Sequence, residues 1–453
     1  MHPSKHAPAA AEEATCPVAT LPLAQALEHV IPFLPVHERA RAACVCRGWC
    51  EVLAPASLWL HLDLSCYSSG FPNTDALLLG ASARACGRLS HLDVSGLLQF
   101  TTQTLLSVLT ANADHLRELR VSSLDAEERA KNPTLAALLH AAPLLQVLDA
   151  SASCSVTDAR ALLRAGPPLR LRSLTMDFGI RPSTADGGPA RRYGGSHESV
   201  LEFASLMTDL TLQPALTRLG FHYAMTSDPA VLGRIVDVAL SRRVSALSLF
   251  RCTSPAAMPL ARLLADGALK TLSLSSIARR FGPTSSLLDE AGAKLVANAL
   301  RSTTTLTDVD FGRTNLSRDT GAAVELLGAC AGHPTLRSIT VAWESPDDPA
   351  ALGTVLASIV AADSPALHSL DIFHNDLGDN GLAPIVDALS RNRHLQTLNL
   401  LCNNMSEDFA RLRLLPAVRA NTGLRILLAC RDDGDKEAMP AAVEAETLVN
   451  KRP

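Results

Sequence analysis

One short pattern recurs from Leu89 almost to the end of the chain, and it leaves few folds open. An apolar residue is followed by two variable residues, a second apolar residue, one variable residue and a third apolar one. It begins at Leu89 (LSHLDV), Leu116 (LRELRV), Leu145 (LQVLDA), Leu171 (LRSLTM), Leu216 (LTRLGF) and Val244 (VSALSL). It returns at Leu269 (LKTLSL), Leu306 (LTDVDF), Leu336 (LRSITV), Leu367 (LHSLDI), Leu395 (LQTLNL) and Leu424 (LRILLA). The last four anchors stand 31, 28 and 29 residues apart, so the chain is periodic. Each copy reads as a short strand, because alternate strand side chains point to opposite faces and the apolar ones share one face. Between the copies lie stretches at helical spacing, such as Ala291, Leu295, Val296, Ala299 and Leu300, or Leu382, Ile385, Val386 and Leu389. One strand and one helix cannot bury their own apolar faces, so neighbouring units must stack. The expectation is an α/β solenoid with parallel strands on the concave side and helices on the convex side.

Composition narrows the function. Of the 453 residues, 47% are hydrophobic and 4% aromatic, which suits a core built from leucine and alanine. With 41 basic against 45 acidic residues the net charge is -4, so no polyanion-binding surface, and no nucleic-acid partner, is expected. The 11 cysteines are scattered and odd in number, and they read as reduced small hydrophobes of an intracellular protein. Met1 to Ala19 lacks the apolar core of a secretory signal, and no apolar run reaches the ~18 residues of a membrane span. A soluble protein of the cytoplasm, the nucleus or both is expected, with no membrane partner.

Along the chain, residues 1–20 are rich in Ala, Pro and small polar residues and are expected to be disordered. Residues 21–62 carry apolar residues at helical spacing, in pieces broken by Pro22, Pro32, Pro35 and Pro55. The repeat array is assigned to 63–430, with an insertion rich in Gly, Pro and Arg at about 179–198. The polar tail 431–453 is expected either to shield the open end of the array or to be partly disordered.

Two resemblances sharpen this reading. The segment Leu21–Trp59 resembles an F-box, in Leu21-Pro22, then Val45-Cys46-Arg47-Gly48-Trp49, then Leu58-Trp59. The acidic residue usual after Leu-Pro is replaced by Leu23 and Ala24. The resemblance implies a small all-α module. Its Leu21, Pro22, Leu27, Val30, Leu34, Val45, Cys46 and Trp49 divide between its core and a surface that docks on a Skp-type adaptor of a cullin complex. Residues Leu367 to Leu389 are similar to the ribonuclease-inhibitor type of leucine-rich repeat. That resemblance places Asn375, Asn403 and Cys252 where the chain turns off the strand and an Asn bonds to backbone groups.

Together these imply a leucine-rich-repeat solenoid preceded by an F-box-like module, acting as the substrate-recognition subunit of an SCF-type ubiquitin ligase. A repeat scaffold or inhibitor unrelated to ubiquitination stays open as the alternative. No catalytic residue, metal or cofactor is expected. Cys44 and Cys46 lack a second ligand pair, His37-Glu38 and His197-Glu198 lack the second His, and Asp432-Asp433-Gly434-Asp435 lacks the final Glu of a calcium loop. No phosphate-binding glycine loop or nucleophile elbow is present. Binding of a protein substrate is expected on the concave face. Asp93, Arg120, Asp149, Asp310, Asp371 and Asn399 stand there at the central variable position, with His222, Phe250, Trp343, Phe373 and His374 beside them.

Overall fold

The computed structural model describes residues 39, 55–65, 74–95, 100–121, 140–150, 171–177, 201, 204–205, 207, 215–222, 229–250, 257–275, 290–312, 320–342, 346–429 and 439–451. The N-terminal segment, the F-box-like positions from Leu21 to Trp49, and the insertion expected at about 179–198 lie outside the described residues.

Every copy of the pattern becomes a strand, and within each unit successive strands pair in parallel. The chain divides into two compact units. In the first, β1 (His61–Asp63), β2 (His91–Asp93) and β3 (Glu118–Arg120) pair in register, so that His61, His91 and Glu118 are lateral neighbours. In the second, the order runs β4 (Val147–Ala150), β5 (Ser173–Asp177), β6 (Arg218–His222), β7 (Ala246–Phe250), β8 (Thr271–Ser275) and β9 (Asp308–Asp310). It continues through β10 (Ser338–Thr340), β11 (Ser369–Asp371) and β12 (Thr397–Asn399) to β13 (Ile426–Leu428). Parallel neighbours need a crossover, and helices supply it. The first unit has α1 (Thr74–Arg84) and α2 (Thr102–Ala111). The second has α3 (Pro229–Ser241), α4 (Ala257–Asp266), α5 (Glu290–Ser302), α6 (Thr320–Gly328), α7 (Pro349–Ala361) and α8 (Gly378–Leu389). Then follow α9 (Glu407–Phe409), a π-helical turn Ala410–Leu414, α10 (Leu415–Ala420) and α11 (Pro440–Asn450). This is a leucine-rich-repeat solenoid.

The first strand is additional to the twelve read from the pattern. Its copy is Trp59-Leu60-His61-Leu62-Asp63-Leu64, with Trp59 in the first apolar position, and Trp59, Leu62 and Leu64 are all buried. The boundary drawn at residue 62 therefore falls inside β1. A second difference concerns α5, whose buried stripe is Gly292, Ala293, Val296, Ala297 and Leu300. Ala291 is exposed, and Leu295 and Ala299 are half-buried. Alanine and glycine mark a helix face poorly because small residues suit both faces. In α8 the expected Leu382, Ile385, Val386 and Leu389 are all buried.

Polar residues hold the turns. Three residues ahead of five strand anchors stand Thr303, His333, Ser364, Asn392 and Asn421, each buried. Asn421 donates to the Leu389 and Asn392 carbonyls, both at 2.7 Å, and accepts the Leu424 N–H at 2.8 Å. At the other end of the strands, Asn375 and Asn403 are buried as expected of that repeat type. Asn375 donates to the carbonyls of Val341 (2.6 Å) and Ile372 (2.9 Å), and Asn403 to those of Ile372 (2.8 Å) and Leu400 (2.9 Å). The chain turns there through left-handed residues, with φ of 58° at His374 and 58° at Cys402. Cys252 lies outside the described residues.

His333 gives this scaffold a pH dependence. Its Nε2 lies 3.0 Å from the Leu300 carbonyl, while Nδ1 accepts the N–H groups of Thr335 and Leu336, both at 3.3 Å. That arrangement needs a neutral ring, and burial lowers its pKa although the Leu300 bond opposes the shift. The unfolded chain therefore binds more protons below about pH 6.5, and stability falls as pH drops through that value and below. Urea unfolding of wild type and His333→Asn should show a gap that narrows or reverses on acidification. A gap independent of pH would refute the assignment.

The last strand is covered along its free edge. The side-chain amide of Asn450 in α11 accepts the Leu427 N–H (2.9 Å) and donates to the Leu427 carbonyl (3.2 Å), while Glu446 accepts the Ala429 N–H. Ala441, Ala442, Ala445 and Val449 anchor the helix.

Candidate functional site

In each strand the central Leu, Val or Ile is buried against the helices, and its neighbours on either side point to the opposite face, where most are half-buried or exposed. That face is the candidate binding surface.

In the first unit it carries a compact polar group. Arg120 pairs with Glu118 at 2.7 Å and reaches Asp93 at 3.9 Å, and Glu118 lies 3.5 Å from His91. His91 stacks on His61 with ring centroids 4.1 Å apart. Burial, followed by the neighbouring His61, lowers the pKa of His91. Asp93 and Arg120, both weighed in the sequence, are thus neighbours on this face. His61, His91 and Glu118 were missed because they occupy the variable position before the central leucine, whereas every residue weighed follows it.

In the second unit Asp149, Asp310, Asp371 and Asn399 occupy that later position in β4, β9, β11 and β12. The side chains of Asp310, Asp371 and Asn399 also serve their own backbone. Asp310 Oδ1 accepts the Gly312 N–H at 2.8 Å, Asp371 Oδ1 that of Phe373 at 3.0 Å, and Asn399 Oδ1 that of Leu401 at 3.1 Å. Asp63 and Asp93 do the same with Ser65 and Ser95, both at 2.9 Å. Each closes a turn where the chain leaves the strand. Asp310 also accepts the Ser273 hydroxyl at 2.9 Å. Phe373, half-buried, meets His374 edge-on at 5.8 Å. The side chains of His222 and Phe250, and all of Trp343, lie outside the described residues. At β13 the face turns apolar, with Ile426 and Leu428 exposed.

Among the described cysteines, Cys86, Cys330 and Cys402 are free thiols. Cys330 is the small buried hydrophobe expected, and burial pushes its thiol up to about 12. Cys86 is exposed at a left-handed turn, so that reading fails for it. Among the described residues no cluster of three or more metal-ligating side chains is present, and no helix is long and apolar enough to cross a membrane.

No family model and no curated protein matches the chain. It is similar to a structure described as the complex of Rad7 and Elc1 in yeast, at 14% identity, covering 82% of this chain and 80% of that one, with a TM-score of 0.36. It is also similar to the structure of a TLR13–ssRNA13 complex, at 14% identity, covering 78% of this chain and 48% of that one, with a TM-score of 0.31. Neither likeness bears on what this chain binds.

Proposed function

We propose that the chain is the substrate-recognition subunit of an SCF-type ubiquitin ligase. Its F-box-like segment docks on a Skp-type adaptor, and through it on the cullin complex, while the open sheet face holds a protein target. The observation that carries this reading is an order of parts. Leu21-Pro22 and Val45-Cys46-Arg47-Gly48-Trp49 stand directly ahead of a repeat array whose helix-free face presents polar, charged and aromatic side chains. The chain itself is non-catalytic. It raises the rate of transfer by a separate enzyme through proximity, since a held target meets the enzyme at high effective concentration.

A pull-down from native extract tests both halves. Wild type should retain a Skp-type adaptor, and Leu21→Ala/Pro22→Ala should lose it while keeping the target. Phe373→Ala should do the reverse, weakening target binding about tenfold, the size of a modest aromatic anchor, with an unchanged melting temperature. Wild type that captures no adaptor would refute the ligase reading and favour a scaffold or inhibitor.

A further inference from the structure

Positive charge in the second unit differs between the helices and the strand entries. Four cations on the helical side are paired, Arg262 with Asp237 (2.7 Å), Arg301 with Glu325 (3.8 Å), Arg413 with Asp387 (2.7 Å) and Arg419 with Glu444 (2.6 Å), while Arg234 in α3 and Lys294 in α5 have no ion pair among the described residues. Cations where the chain enters the strands are not paired. Among the described residues Arg172, Arg218, Lys270 and Arg337 are exposed and form no ion pair, and Arg425 reaches only the carbonyls of Thr422 and Leu424. Arg172, Lys270, Arg337 and Arg425 immediately precede β5, β8, β10 and β13, and Arg218 opens β6. Parallel in-register pairing aligns Arg172, Lys270, Arg337 and Arg425 into a row about 38 Å long, at ~4.8 Å per strand, with Arg218 one residue further along its own strand. At these positions from β4 to β13 the one carboxylate is Asp308, bonded to the Thr307 hydroxyl at 2.6 Å. The described turns into the strands add Asp266 and Asp363, the latter 3.0 Å from His394. Two or three residues further along the strands, roughly 7–10 Å away, runs the row of Asp149, Asp310 and Asp371.

We infer that the basic row is a docking surface for an acidic protein segment lying across the strands. This rests on the reading above and gives the target its chemistry. One carboxylate, Asp308 on the strand between Lys270 and Arg337, stands among these cations, so the row stays net positive and repels itself, and an acidic partner relieves that. The neighbouring acidic row lies about one Debye length away, so it repels a ligand as broad and uniformly anionic as a nucleic acid. A single peptide strand covers the cations alone.

Fluorescence anisotropy with the full chain tests this. The probes are a labelled peptide of alternating Glu and Ser about a dozen residues long, matching the row in extended form, a Lys-Ser counterpart, and single-stranded RNA of equal charge. The acidic peptide should bind, more weakly as salt rises. Arg172→Gln/Arg218→Gln/Lys270→Gln/Arg337→Gln should weaken it at least about tenfold, and Arg262→Gln/Arg419→Gln should not. The narrower Lys270→Gln/Arg337→Gln, checked by circular dichroism, replaces the fourfold variant if that unfolds, and should weaken binding several-fold. No binding by wild type, undiminished binding by the folded row variant, or tighter binding of RNA than of peptide overturns the proposal. Failure here with the adaptor still captured rejects the basic row alone. Peptide binding without adaptor capture rejects the ligase reading alone.

Discussion

Asn403→Ala removes about 3 kcal/mol of stability, because it strands several buried backbone groups that cost about 1–3 kcal/mol each when unpaired. Its Nδ2 donates to the Ile372 and Leu400 carbonyls, and its Oδ1 accepts the Asn375 N–H at 3.1 Å, so one side chain ties two turns together. Asn375 donates to the same Ile372 carbonyl. The pair should therefore couple: either Asn alone still leaves the Ile372 carbonyl a donor, so Asn375→Ala/Asn403→Ala loses more than the two single losses added. Repeat arrays need not unfold in one step, so urea midpoints should be read beside hydrogen exchange at β11 and β12. A loss under about 1 kcal/mol, or one spread evenly over the array, would contradict this account.

Gly353→Ala should cost a similar amount, about 2–3 kcal/mol, by overpacking. Helices α7 and α8 meet backbone to backbone. A Cβ on Gly353 would lie 2.0 Å from the Gly381 carbonyl oxygen, and one on Gly381 would lie 2.7 Å from that of Pro349. No rotamer change relieves a clash with backbone, so the helices must separate and lose the packing of Leu356, Ile359, Leu382 and Ile385. Gly233 in α3 is the control, since a Cβ there meets nothing within 4 Å. Gly233→Ala should be neutral or stabilise by up to ~1 kcal/mol through helix propensity. Equal thermal shifts in the two variants would show that propensity and not contact governs α7.

The strands were legible because leucine at fixed intervals leaves one way to bury a face. Leu370 and Ile372, or Leu398 and Leu400, need only the two-residue period of a strand to be placed inside. The first strand stayed hidden because Trp59 stands where the others have leucine or valine, and the same residue completes the F-box-like pattern. Asn375 and Asn403 were readable from the repeat type. Asn392 and Asn421 do equivalent work at the helix ends, yet polar residues in a turn look the same in sequence whether buried or exposed. The face itself was half legible. The period shows that Asp310 and Asp371 leave the core, but only geometry shows each carboxylate closing its own turn. The basic row was invisible for a different reason. Arg172, Lys270 and Arg337 are far apart in the chain, and parallel register alone makes them one feature.

The covering of β13 has a consequence for self-association. The free edge of a parallel sheet is a template on which a second copy, or a swapped strand, can extend the ladder. Here the backbone donor and acceptor of Leu427 are both occupied by one amide from α11, and the Ala429 donor by Glu446. Lateral growth from this edge therefore requires a helix to be lifted off first. Collision between two folded copies is not enough, and polymerisation through β13 becomes a consequence of partial unfolding.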